Sequence, residues 1–173
     1  PNAAEWRDQT SSYIFSHWVD SKGNEYTPSG KETMVQVLGP ETYTAVYDAV
    51  PVRYHAYFYN GSELYFDQEL QFGDYASIPE GTPEKDRVGN TTYEFDGWYL
   101  YNTETGVWGE KLENNKFAIA GEDYAFYAKY NEIKWVNVSF HKDADSNYEL
   151  IGEAKEYIWG DTVVAPEGPK KES

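Results

Sequence analysis

The sequence predicts a mostly β chain assembled from small repeat units in tandem. Three observations carry this. The composition holds 17 tyrosines and 6 tryptophans but one methionine and no cysteine, and aromatic side chains favour the pleated, half-buried surface of strands. Short alternating runs are separated by clusters of Gly, Pro, Asn and Asp, the punctuation of hairpins. Finally, the motifs recur. Tyr13-Ile-Phe15-Ser-His-Trp18 returns as Tyr93-Glu-Phe95-Asp-Gly-Trp98, and Thr44-Ala-Val-Tyr47 returns as Tyr127-Ala-Lys-Tyr130. Phe72-Gly73-Asp74 with Pro79-Glu-Gly81 returns as Trp159-Gly160-Asp161 with Pro166-Glu-Gly168. Such self-similarity is a statement about architecture before it is one about chemistry.

Taken in order, Asn2 to Gln9 is polar and reads as a helical turn or a linker. Tyr13 to Trp18 alternates as a strand, with Tyr13 and Phe15 on one face and Ile14 and Ser16 on the other. A turn follows at Asp20–Asn24. Thr33 to Leu38 has strand composition without clean alternation, and Gly39-Pro40 stops it. Thr42 to Tyr47 is a further strand. After Pro51, Val52, Tyr54, Ala56 and Phe58 share one face of a strand while Arg53, His55, Tyr57 and Tyr59 share the other. Asn60-Gly61 predicts a type I′ hairpin turn, because both residues tolerate left-handed dihedrals. Leu64 to Phe66 returns, Gly73-Asp74 turns again, and Tyr75 to Ile78 leads to a proline bend. Tyr93 to Tyr101 is a strand with Val107-Trp108 as its return, and Asp123 to Tyr130 closes the unit. Val136, Val138 and Phe140 then take the places of Tyr54, Ala56 and Phe58, and Tyr148 to Trp159 returns. Gly73 and Gly160 read as turn positions that need positive φ.

This register divides the chain into the second part of a unit (residues 1–50), a complete unit (51–131) and the first part of another (132–173). The strand expected after Pro166-Glu-Gly168 is missing, and its absence would expose a hydrophobic edge. Two expectations follow: residues 132–173 pair with 1–50 to complete one β fold, or both ends mark where a longer array is cut.

The bulk numbers exclude several function classes. A 40% hydrophobic content is too rich for a disordered segment. The net charge of −16 opposes nucleic-acid binding, and it is distributed as −4, −8 and −4 over the three parts, which suits solubility better than a focused funnel. No apolar run is long enough to insert in a membrane.

The stretch from Ala56-Tyr57-Phe58, through Gly73-Asp74, Pro79-Glu80 and Tyr93-Glu-Phe95-Asp-Gly97-Trp98-Tyr99, to Tyr127-Ala-Lys-Tyr130 resembles the Listeria–Bacteroides repeat. That family is also known as the internalin B-repeat. Two departures stand out: His17 replaces the glycine before the tryptophan in the first copy, and Thr82 to Thr92 is longer than the family's usual insertion. The resemblance implies β-grasp-like units in surface proteins of Gram-positive bacteria and some Bacteroidetes, in tandem between an adhesive head and a wall anchor. It carries no catalytic residue and no cofactor. The chain is therefore expected to be a fragment of a bacterial cell-surface protein, extracellular and non-enzymatic, acting as stalk or spacer with an adhesive role. Its expected partners are neighbouring repeat units and a host or cell-wall glycan or protein.

Trp18, Trp98, Phe95, Phe58 and Phe140 are the expected core, with the two tryptophans sealing the ends of thin cores where few other groups can be buried. Tyr57, Tyr59 and Trp135 are the candidate ligand-binding rings, set against the alternative that they pack on a neighbouring unit. Acid pairs such as Glu80/Glu84 and Glu122/Asp123 read as solvated surface, since none sits in an apolar run that would raise a pKa. His17, His55 and His141 are too scattered for a zinc site. Asp143-x-Asp145-x-Asn147 hints at calcium, but Tyr148 stands where a calcium loop needs glycine. An isopeptide bond from Lys129 or Lys134 would require a buried acid beside the lysine.

Overall fold

The computed structural model describes residues 2–142, 147 and 149–168. It is mostly β, with no helix among the described residues. Among the described residues ten strands occur: β1 (Trp6–Arg7), β2 (Ser11–Asp20), β3 (Glu25–Tyr26), β4 (Tyr43–Pro51), β5 (Tyr54–Asn60), β6 (Glu63–Leu70), β7 (Thr91–Asn102), β8 (Val107–Lys111), β9 (Tyr124–Val138) and β10 (Lys155–Ile158). They form two sheets. One contains β1 to β4, with β4 paired antiparallel along the length of β2. The other runs β6-β5-β9-β7-β8, and β10 adds to β9. The chain divides into two compact units, Pro1–Pro79 with Tyr99–Tyr127, and Glu80–Trp98 with Ala128–Ser173.

In the first unit, β5 and β6 form a hairpin, and β9 lies parallel to β5 with Ala56 opposite Tyr124 and Phe58 opposite Phe126. The alternation expected of β5 is present: Val52, Tyr54, Ala56 and Phe58 are buried, the last two completely. Phe58 stacks on Phe126 at 5.3 Å, and Phe117 meets Phe126 edge-on at 5.1 Å. Ile119 and Leu112 close this core. Asn60 pairs with Glu63, so the turn is Gly61-Ser62, one residue later than Asn60-Gly61. Gly61 has a φ of 62° and Ser62 does not follow it into positive φ, the pattern of a type II′ turn. The register then slips between Phe58 and Tyr59, leaving Tyr65 as a bulge.

The first sheet departs from expectation in three places. The polar start forms β1, because Trp6 lies opposite Tyr13 and the two rings stack at 3.8 Å. Thr33 to Leu38 forms no strand. In β2, Phe15 faces Tyr47 and His17 faces Val46, so Ser16 is a bulge. The bulge has a consequence for the repeated motif, since residues three apart on a regular strand face opposite ways. With the extra residue, Phe15 and Trp18 share a face, their rings 5.4 Å apart, and Tyr47 meets Phe15 edge-on at 6.1 Å.

The second unit holds a triad of the same geometry. Phe95 and Trp98 are 5.6 Å apart, and Tyr130 meets Phe95 at 5.8 Å. Here Gly97 takes a φ of 153°, a setting that side-chain-bearing residues avoid, whereas His17 in the first copy has no positive φ. Trp98 is 1% exposed, but Trp18, Phe95 and Phe140 are half-buried. Among the described residues the return after Phe140 consists of β10, with four residues, and a bridge between His141 and Leu150; Tyr148, the expected start of the return, lies outside the described residues. Strand β9 crosses residue 131 without a break.

Asp20 is the buried acid among the described residues. It ends β2 by accepting hydrogen bonds from the Lys22 and Asn24 amides, the Asn24 side chain and the Tyr26 hydroxyl. The Asn24 side-chain bond is the main reason its pKa falls to about 2. Its contribution to stability is therefore complete above the unfolded value of 3.8 and is lost as pH falls toward about 2. Urea midpoints of the wild type and Asp20→Asn should differ by a constant amount from pH 7 to about 4 and converge below that; a gap that persists at pH 2 would refute the assignment. Trp98→Ala should cost roughly 3–5 kcal/mol in urea unfolding, and Trp18→Ala distinctly less, because its ring is already half in water.

Candidate functional site

The outward face of β5 carries Arg53, His55, Tyr57 and Tyr59, as alternation requires. In the first unit these residues begin a row of rings that crosses four strands. The His55 and Tyr57 rings stack at 5.2 Å with planes 5° apart, and Tyr59 follows at 6.4 Å. The parallel register sets Tyr59 beside Tyr127, whose rings stack at 5.2 Å. Tyr101 meets Tyr127 at 5.5 Å, Trp108 lies 4.5 Å from Tyr101, and Tyr99 lies 6.0 Å from Trp108. The Lys111 ammonium sits 5.4 Å from the centre of the Tyr99 ring, at the outer limit of a cation–π contact.

Alternation alone identifies Tyr57 and Tyr59. Tyr127, Tyr101, Tyr99 and Trp108 join them only through strand register. The local signal that could have found them is the outward phase of Tyr127 between the buried Phe126 and Ala128.

Two pairs of the row, His55–Tyr57 and Tyr59–Tyr127, turn their faces to one another, and the others meet tilted or edge-on. Such cross-strand aromatic pairs stabilise a sheet by roughly 0.5–1.5 kcal/mol each beyond their burial. Trp108, at the far end, is 39% exposed. Beside Tyr101 lies an open trough of about 620 Å³ lined by Leu100, Thr105, Val107, Asp123 and Ala125 among others. Its walls are mixed apolar and acidic, and it opens broadly to solvent.

The β5 end of the row is polar. Asp67 lies 2.7 Å from His55 Nδ1, Asp123 accepts a hydrogen bond from the His55 amide at 2.8 Å, and Arg53 pairs with Glu69 at 3.6 Å. The Asp67 hydrogen bond raises the His55 pKa above its ordinary value, opposed by partial burial. Burial, and then Asp123 and Asp67, raise the Tyr57 phenol.

Trp135 belongs to the second unit. Its indole N–H donates to Thr92 Oγ1 at 2.8 Å and its amide to the Asn90 carbonyl at 2.7 Å. The ring is half-buried and its polar edge is occupied. His17 lies near Ser16 and Glu25, and His141 near Ser139. Among the described residues no three His, Cys, Asp or Glu side chains gather as metal ligands. Asp143 and Asp145 of the calcium hint lie outside the described residues, and Asn147 has a φ of 53°. The buried Asp20 is fully engaged by its own loop, so it offers no acid to a lysine cross-link.

No family model, no curated protein and no solved structure matches this chain.

The row makes one titration prediction. By NMR, His55 should titrate above 6.5, and Asp67→Asn should bring it back toward that value. The sign for stability follows: the pair's contribution is complete below the unfolded pKa and disappears as pH rises through the raised folded value. A His55 that titrates identically in wild type and Asp67→Asn would contradict the pairing.

Proposed function

We propose that this chain is a non-enzymatic, extracellular module of β-grasp-like repeats, related to the Listeria–Bacteroides repeat, that serves as stalk or spacer in a bacterial cell-surface protein. The observation that carries the reading is the strand order β6-β5-β9-β7-β8 with β5 and β9 parallel. Numbered within the unit, this is second-first-fifth-third-fourth, the order of a β-grasp sheet, with the proline-rich segment after β6 in place of the helix. The twice-formed Phe–Trp–Tyr triad supports repetition of the unit, and the acidic, cysteine-free composition suits a solvated surface protein.

The same topology suits a mechanical task. In a unit whose first and last strands are parallel neighbours, tension applied at its two ends loads their hydrogen bonds in shear. All of those bonds must then fail together, whereas a hairpin pulled from its open end unzips one bond at a time. The Phe58–Phe126 stack lies across that shear plane.

Force spectroscopy with handles at the two chain ends should show a discrete unfolding peak for residues 51–131. Phe126→Ala should lower that peak while leaving the small-step opening of the β2–β3 turn in place. Gradual yielding without a peak would reject the spacer reading. A carbohydrate- or protein-binding module is the second reading, favoured by the exposed Trp108 end of the ring row. It requires glycan-array or pull-down binding that Trp108→Ala abolishes with the fold intact.

A further inference from the structure

In the complete unit, the outer edge of β9 is taken by β5, and Phe58 from β5 fills the space over Phe126 and leaves both rings fully buried. Residues 1–50 contain the counterparts of β7, β8 and β9 in β2, β3 and β4. Aligning Tyr47 with Tyr130, the residues that complete the two triads, places Tyr43 at the position of Phe126. Among the described residues β4 pairs with β2 alone, so the edge that β5 takes on β9 is open on β4.

The groups that should be covered there are in water. Met34, Val37 and Leu38 are 79%, 82% and 85% exposed, while Leu112 and Ile119, in the corresponding loop of the complete unit, are 3% and 1% exposed. Between Trp18, Thr33, Val35 and Tyr43 lies an open, mostly apolar cavity of about 390 Å³. It borders Tyr43, the residue that the alignment matches to Phe126, which Phe58 covers in the complete unit.

The chain also carries a hairpin of the missing kind. Ala56 pairs with Gln68 and Tyr54 with Leu70; five residues of extra loop apart, Val138 pairs with Lys155 and Val136 with Tyr157 in the same phase. The turns that follow agree bond for bond. The Asp74 amide donates to the Gln71 carbonyl and the Asp161 amide to the Ile158 carbonyl, while Asp74 and Asp161 Oδ2 accept from the Gln71 and Ile158 amides. In this register Phe140 stands where Phe58 stands.

We infer that the β4 edge and the Trp18–Val35–Tyr43 cavity form a docking site for the Val136–Ile158 hairpin of a second copy of this chain. The hairpin adds parallel to β4 with Phe140 opposite Tyr43 and its ring in the cavity. The contact is heterologous: each copy offers one hairpin and one acceptor edge, and copies join head to tail. This inference rests on the repeat reading of the proposed function, but not on its mechanical task. Both copies are acidic, so association strengthens as salt screens their repulsion.

Sedimentation velocity on the full chain, from about 1 μM to about 1 mM and at low and high salt, tests it. The expected result is a mass that rises above that of the monomer with concentration. Phe140→Asp blocks the hairpin and Val35→Asp blocks the cavity, so each variant alone should remain monomeric. An equimolar mixture of the two should form a 1:1 dimer that grows no further, because one working contact remains. Unchanged near-ultraviolet dichroism confirms that each variant is folded, and Thr33→Asp, at another residue lining the cavity, provides a second cavity block.

A wild-type chain that is monomeric throughout overturns the inference, as does a dimer that persists in either single variant. Neither result touches the force peak of residues 51–131, so failure here and failure of the spacer reading are distinguishable.

Discussion

The parallel pairing of β5 with β9 is the constraint on which the central unit depends. Its partners are more than sixty residues apart in sequence, and closing so long a connection costs chain entropy before any contact offsets it. No helix covers the crossover, as one usually does between parallel strands. The offset comes from rings: Phe58 and Phe126 bury each other completely, with Phe117 edge-on, and Ile119 and Leu112 seal the sides. The outer face is organised by the same pairing. A slip of one residue between the two strands would separate Tyr59 from Tyr127 and turn Phe126 toward solvent. Core and surface row are thus two sides of one register.

What was legible in the sequence follows from this. The alternation of β5 could be read, because a half-buried strand writes its two faces into successive residues. The aromatic motif at Trp18 and Trp98 could be read as a strand, but not as a bulged one, since a phase shift of one residue within so short a run looks the same as residues on opposite faces. Without the bulge the spacing of Phe15 and Trp18 would place the rings on opposite faces. The hairpin turn was misplaced by one residue because Asn-Gly is a strong local signal, and Gly61 alone satisfies a type II′ turn. Most of the ring row stayed invisible: Tyr57 beside Tyr59 is a local fact, while Tyr127, Tyr101 and Trp108 reach them only through pairings across distant strands.

Thr33 to Leu38 shows the converse failure. Its composition is that of a strand, and nothing in its local chemistry forbids one, yet it forms none. β propensity expresses how well a side chain fits a pleated surface against neighbours, rather than what a backbone prefers alone. The equivalent loop in the complete unit finds such neighbours, and its apolar side chains are buried there. Here Met34, Val37 and Leu38 are in water, and the segment forms no regular structure.

Trp18 and Trp98 separate the two levels at which this chain encodes structure. Each sits in a triad with a phenylalanine three residues before it and a tyrosine from the partner strand, with ring separations that agree within a few tenths of an ångström. Local sequence and one strand pairing are sufficient to build that arrangement, even where His17 replaces the Gly97 position and the backbone solves the bend differently. Burial is another matter. The same indole is shut from water in one copy and half-open in the other. The motif therefore specifies the packing of three rings against one another, and whether the indole is shut from water is decided by what surrounds the triad.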